Sequence, residues 1–253
     1  MSKVYFIFSI LLLMQGCNYF NKHETIEARY PNGQLKEKYE VIQDTLGNYV
    51  KDGQYTSWHE NGMKQSAGEY VDGKINGEWI RWFQSGNLLS KSISKDGQFN
   101  GKYIVWYESG QKKEEGEYLF NNFVGLRIQW YENGQKEEES NYQDYQLVGN
   151  RTQWYQDGKF KLQENYSNGG KRNGQYYSWD ENGDKKEGRY VDDILIGSEK
   201  KYNSNGILTE EIEYYPSGRI HFDRYIHSYG KNVFEYDEYG NIIASDFLYP
   251  NTK

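Results

Sequence analysis

The residues able to do chemistry are few and widely spaced. Four histidines are present, His23, His59, His221 and His227, with a single cysteine, Cys17. A zinc site needs Cys and His ligands at short, fixed spacings, and these residues have none. His221 and His227 can share one face of a strand, where packing or solvation is the expected role. With one cysteine no intramolecular disulfide can form. Carboxylates are abundant, and glycoside hydrolysis needs only two of them correctly placed. Glu114, Glu115, Glu137, Glu138 and Glu139, however, stand in runs that read as the solvated face of charged strands. The glycines recur with a fixed period, which makes them turn glycines rather than a phosphate-cradling loop. The chain is therefore expected to be non-enzymatic, with no catalytic set, no metal and no cofactor.

Aromatic residues are the better candidates for binding. Phe83, Tyr107, Tyr131 and Tyr155 each follow a tryptophan in four successive units. Strand alternation puts Arg127 and Arg151 on the same side as Tyr131 and Tyr155. If hairpins stack in register, the tyrosines form an exposed ladder with rungs about 10 Å apart. Such a ladder could stack on sugar rings or accept a peptide, with the arginines adding charge-assisted hydrogen bonds. The competing reading is that cross-strand aromatic pairs only stabilise the sheet.

The elements that hold these residues are repeats. Trp58, Trp82, Trp106, Trp130, Trp154 and Trp179 are separated by 24, 24, 24, 24 and 25 residues. Turn glycines follow them (Gly62, Gly86, Gly110, Gly134, Gly158, Gly183, Gly206), and a second glycine column precedes them, from Gly53 to Gly197. A tyrosine column runs through Tyr70, Tyr118, Tyr142, Tyr166, Tyr190 and Tyr214, with its one gap at Ser94. Columns held in register over so long a stretch indicate a stacked-repeat architecture.

Each unit reads as a β-hairpin. Asn-Gly occurs nine times and is the strongest short hairpin signal, because both residues tolerate the positive φ of a type I′ turn. Stretches such as "VDGKING" (71–77) read as looser links to the next unit. Trp82 shares a face with Ile80, Trp106 with Ile104 and Trp130 with Ile128, so that face is expected to be the packed one. Small residues two places before the tyrosine column (Gly68, Gly116, Ser140, Gly188) suggest that a ring from the neighbouring strand lies over them. The fold expected is all-β: an elongated, solenoid-like antiparallel sheet of stacked hairpins, roughly 80 to 90 Å long at two strands per unit.

Composition agrees. The chain has 253 residues, 36% hydrophobic and 17% aromatic, which points to a thin structure buried mainly by rings. Its net charge of −7 argues against nucleic acid as a partner and against docking on anionic lipid through protein charge. Residues 1–16 have the layout of a signal peptide: Lys3, an apolar run from Val4 to Met14, then Gln15 and Gly16 before Cys17. The segment Leu13-Met14-Gln15-Gly16-Cys17 resembles the bacterial lipobox, which implies lipidation of Cys17 and anchoring by acyl chains. Residues 17–29 then form the lipidated N-terminus and tether, 30–247 the hairpin repeats and 248–253 a tail.

The recurring phrase, Trp or Tyr, then Tyr-x-Asn-Gly-x-Lys, a tyrosine, and Asp-Gly or Asn-Gly before the next glycine, resembles the MORN repeat variant, found in bacterial proteins described as the YwqK family of antitoxins. The resemblance covers about residues 30 to 247. It implies an interaction protein, of scaffold or toxin-immunity type, with a protein partner. Together with the lipobox it implies a lipid-anchored envelope protein, on the outer membrane in a Gram-negative source. The tyrosine ladder supports the alternative, a glycan- or cell-wall-binding module.

Overall fold

The computed structural model describes residues 23–227 and 230–248, so Cys17 and the predicted signal peptide lie outside the described residues. The chain forms one 19-stranded antiparallel sheet without helices among the described residues. The first strands are β1 (Glu24–Arg29), β2 (Leu35–Gln43), β3 (Tyr49–Trp58), β4 (Lys64–Val71), β5 (Lys74–Trp82) and β6 (Leu88–Lys95). The central ones are β7 (Gln98–Trp106), β8 (Lys112–Leu119), β9 (Asn122–Trp130), β10 (Lys136–Gln143), β11 (Gln146–Trp154), β12 (Phe160–Tyr166) and β13 (Gly174–Trp179). The series closes with β14 (Lys185–Val191), β15 (Ile194–Tyr202), β16 (Leu208–Tyr214), β17 (Ile220–His227), β18 (Gly230–Tyr236) and β19 (Ile242–Leu248). Every strand pairs with the next in sequence, as in β3–β4, β4–β5 and β5–β6. The expected all-β sheet of consecutive hairpins is what the chain forms. It starts earlier than expected: Glu24–Arg29, assigned to the tether, is a strand paired with β2. The turn at Tyr30–Gln34 supplies the reason, since it needs a strand on each side.

The two kinds of turn exchange the roles expected of them. At the Asn-Gly turns only the glycine has positive φ. In His59–Met63 the Gly62 N–H donates to the His59 carbonyl and the His59 N–H to the Met63 carbonyl, with Gly62 at φ 85°. This is a type I turn closed by a glycine bulge. Asparagine is used for its amide instead. The Oδ1 of Asn61 accepts from the Met63 N–H, and its Nδ2 donates to the Gln84 carbonyl of the next unit at 2.8 Å. Asn133 repeats the device with Gln135 and Gln156. The links read as loose are the tight type I′ turns. Asp72-Gly73 has φ of 48° and 77°, and Val71 pairs with Lys74 directly across it. Asp96-Gly97, Phe120-Asn121, Asp144-Tyr145 and Asp192-Asp193 have the same paired positive φ.

Because the structure is a single layer, each face buries only what its own side chains cover. The buried apolar residues among those described are Val41, Trp79 and Tyr176. Trp79 and Tyr176 lie on the face of the tyrosine column, not on the tryptophan–isoleucine face expected to be packed; Trp58, Trp82, Trp106 and Trp130 are half-buried. On the tyrosine face, rings tilt across small residues. Trp79 stacks on Tyr55 at 5.4 Å between centroids and meets Tyr70 edge-on at 5.5 Å. A Cβ added to Gly68 would lie 2.2 Å from Trp79, one added to Gly188 2.8 Å from Tyr176, and one added to Gly116 3.3 Å from Phe123. The small residues are therefore seats for neighbouring rings, as expected. Each ring pair contributes about 1 kcal/mol beyond its buried area. Burial, reinforced by the charges of Tyr103 and Glu114, pushes the Tyr118 hydroxyl up to about 12.

Candidate functional site

The tyrosines expected to form an exposed ladder stand just beyond the strand ends, as the first residues of the glycine-bulge turns. Their hydroxyls are engaged. Tyr107 donates to the Trp130 carbonyl at 2.9 Å, Tyr131 to Trp154 at 2.9 Å and Tyr155 to Trp179 at 2.7 Å. Each ties its unit to the next, as His59 does through Nε2 to the Trp82 carbonyl. Phe83, at the same place, has no hydroxyl to make this tie and forms the backbone hydrogen bonds of its turn. These residues offer half-buried ring surfaces, not free hydroxyls.

Arg127 and Arg151 lie farther along the same strands, with Gln129 and Gln153 between them and Tyr131 and Tyr155. Alternation along β9 and β11 is unbroken, because the extra residue of each bulge, such as Lys161, sits on the returning strand. Both arginines lie in the body of the tyrosine face. Arg127 Nε donates to Glu114 at 2.9 Å, and Arg151 donates to Glu138 at 2.8 Å and lies 3.7 Å from Glu164. Glu114 and Glu138 thus depart from the solvated role expected of them. Burial alone would raise the Glu138 pKa, but hydrogen bonds from Arg151 and Gln153, with the Arg151 charge and the Ser140 hydroxyl, hold it below the ordinary carboxylate value. Ser140 is wholly buried and donates to the same carboxylate.

Of the histidines, His23 lies 2.7 Å from Asp52, and His221 packs against Tyr215 with ring centroids 4.4 Å apart. No group of three potential metal ligands occurs among the described residues. Among them no helix is long and apolar enough to cross a membrane.

The tryptophan face carries shallow depressions, and two of them differ in chemistry. One, of about 370 Å³, spans β7–β9 and is lined by Lys102, Ile104, Glu115, Glu117, Leu126 and Ile128. Its middle strand holds the Lys112–Glu115 ion pair at 2.6 Å, with Lys112 over the Trp130 ring. The same Lys–Glu pairing recurs as Lys136–Glu139 on β10 and Lys185–Glu187 on β14. The other, of about 440 Å³, spans β11–β13. There β12 breaks the pattern, with Phe160, Gln163 and Asn165 at these positions. Phe160 sits between Trp154 and Trp179, at 6.1 and 5.6 Å. Register places Gln163 between Thr152 and Tyr177, and Asn165 beside Asn150, to whose Oδ1 it donates at 2.6 Å. The ladder is irregular here: β12 and β13 pair at Leu162–Ser178 and Gln163–Tyr177, the register then shifts to a Tyr166–Arg172 bridge, and a glycine-bulge turn at 167–171 replaces a type I′ turn. Sequence reasoning missed this place, although the aligned units show it: Phe160 stands where Lys64, Lys112 and Lys136 stand.

Comparison with known proteins bears on three hairpins. Segments 51–72, 99–119 and 123–144 match the MORN repeat variant family model. No curated protein matches the chain. Among solved structures, the crystal structure of TcdB2-TccC3-TEV matches at 11% identity and a TM-score of 0.18, covering 90% of this chain and 17% of that one. The crystal structure of TcdB2-TccC3-Cdc42 matches at 12% identity and a TM-score of 0.19, covering 88% of this chain and 17% of that one. The chain thus spans about a sixth of the length of the chains it matches, and TM-scores this low carry no argument about it. The three family segments correspond to β3–β4, β7–β8 and β9–β10, each a strand, a glycine-bulge turn and the returning strand. Over these hairpins, what the chain is similar to is the MORN repeat variant.

Proposed function

We propose that this chain is a non-enzymatic interaction protein of scaffold or toxin-immunity type, held at a bacterial envelope membrane by acyl chains on Cys17 and engaging a protein partner through its repeat sheet. MORN-type hairpins in an open sheet are compatible with such a role. The observation that carries the reading lies on the edge formed by the type I′ turns. Phe120 and Tyr145 take positive φ, at 49° and 70°, and are 54% and 61% exposed. A bulky residue in that region is strained by about 1–2 kcal/mol, and Asp-Gly makes the same turn elsewhere without that cost. Exposed Leu119 adjoins Phe120. Strain kept in order to display neighbouring aromatic side chains favours a partner, since aromatic anchors dominate protein interfaces.

The test is crosslinking in intact cells with a tagged chain, comparing wild type, Cys17→Ala and the double variant Phe120→Gly/Tyr145→Gly. Glycine relieves the backbone strain, so the double variant keeps its fold. One dominant protein captured by wild type and lost from both variants is the expected result. A capture pattern unchanged by both substitutions would refute the anchor and the docking edge together.

A further inference from the structure

We infer that the tryptophan face over β11–β13 is a binding site for an uncharged oligosaccharide, a role separate from the partner edge at Phe120 and Tyr145. Three rungs cross these strands. The first is wholly aromatic, Trp154, Phe160 and Trp179, with Phe160 46% exposed. Thr152, Gln163 and Tyr177 form the second, and Asn150 and Asn165 the third, with Gln175 two places from Tyr177 on β13 at the rim of the depression. In a chain in which 26% of residues are charged, these side chains are all neutral. With rungs about 6.6 Å apart and strands about 4.8 Å apart, the patch measures roughly 13 by 10 Å.

Its chemistry selects the ligand class. A pyranose ring presents a C–H face, which an aromatic ring covers, and a rim of hydroxyls, each both donor and acceptor. Side-chain amides match that rim because each carries donors and an acceptor. Apart from the Asn165–Asn150 contact, the polar side chains facing this depression form no hydrogen bonds to other side chains or backbone among the described residues, so Thr152, Gln163, Tyr177 and Gln175 are open to a ligand. Glu164, which also borders the depression, turns its carboxylate to the Tyr166 hydroxyl at 2.7 Å and towards Arg151. The lysines that border the patch, Lys136 over the Trp154 ring and Lys185 over the Tyr177 ring, are each paired with a carboxylate, Glu139 and Glu187, and the net charge of −7 opposes an anionic ligand. The depression of about 440 Å³ lies over the amide-bearing rungs, beside the aromatic one, and is ligand-sized. The local architecture differs as well: the step from Trp154 to Trp179 is 25 residues where the others are 24, and the β12–β13 register shifts there.

The experiment is calorimetric titration of the full chain with cellotetraose, chitotetraose, maltotetraose and the anionic tetragalacturonate. Three proteins are compared: wild type, Phe160→Lys/Gln163→Glu and the rim variant Gln175→Glu. The double variant restores the Lys–Glu pair that β8, β10 and β14 already accommodate, so it is built to keep the fold. At least one neutral tetrasaccharide is expected to bind wild type, with a Kd raised tenfold or more in the double variant and severalfold in Gln175→Glu. Absence of binding by all three neutral sugars, equal binding by the double variant, or binding of tetragalacturonate alone would overturn the inference. It would equally fall if the double substitution abolished capture of a protein in cells while no sugar bound.

Discussion

On the tyrosine face, Glu138 is 8% exposed and accepts hydrogen bonds from Arg151, Gln153 and Ser140. Its neighbour Glu139 points to the tryptophan face and holds Lys136 in an ion pair whose side chains are 45% and 36% exposed. Two identical residues, adjacent in the chain, thus meet opposite environments. The tyrosine face makes a core out of rings laid across glycine and serine, and the charges it encloses are paired and hydrogen-bonded. The tryptophan face leaves its charged rungs in water, where an exposed pair contributes little. A face whose rungs contribute little to stability can change them freely, and β12 does so. Function can therefore be written on the tryptophan face without disturbing the core on the other.

The sharpest way to break this contrast is to overfill the tyrosine face. Gly68→Ala places a methyl group 2.2 Å from Trp79 and 3.0 Å from the Glu78 carbonyl, so the indole must move. The expected cost is about 2–3 kcal/mol, read as a fall in urea midpoint. Gly116→Ala, with its nearest ring atom at 3.3 Å, should cost clearly less. Equal losses would mean that the rings do not seat on these glycines. Next in size is Glu138→Gln, which removes the charge nearest Arg151, leaving Glu164 at 3.7 Å as its ion-pair partner, and should cost about 2 kcal/mol at neutral pH. The sign with pH follows from the depressed pKa of Glu138 in the folded state. Its contribution is fully present above the ordinary value of 4.5 and is lost as pH falls through the folded value. The stability difference between wild type and Glu138→Gln should therefore shrink below about pH 4.5. A difference independent of pH would mean that the carboxylate charge is not what the site uses.

The fold was legible because its signals are local and repeated. Turn glycines, aromatic columns and small seats such as Gly68 and Gly188 each have one physical cause that recurs in every unit. Choosing the packed face was harder. Alternation tells which residues share a face, but not which face a single-layer sheet will bury. Trp82 with Ile80 is as apolar as Trp79 with its neighbours, and what favours the latter is the seat at Gly68, a contact across strands. Counting by twos carries from Arg127 to Tyr131 and from Arg151 to Tyr155, since the bulges sit on the returning strands, but it could not show that Glu114 and Glu138 take up these arginines. The amide-lined patch was visible only as a departure from the repeat, Phe160 for lysine and Gln163 for glutamate. Its meaning depended on register bringing Thr152 and Tyr177 to either side of Gln163.

The smallest expected effect sharpens the comparison most directly. Glu139→Gln removes the Lys136 partner without touching the tyrosine face. Lys136 remains over the Trp154 ring, 5.7 Å from its centroid, so part of its interaction survives. The pair is exposed and screened, and its loss should cost no more than about 0.5 kcal/mol, declining further as salt is raised past about 0.5 M because the Debye length falls well below 10 Å. Urea denaturation of Glu139→Gln and Glu138→Gln side by side, at low and high salt, measures the ratio. A several-fold larger loss for Glu138→Gln that changes little with salt follows from one enclosed and one solvated face. Equal losses would mean that both rungs contribute alike, and then the neutral substitutions on β12 would carry a stability penalty that a solvated face does not impose.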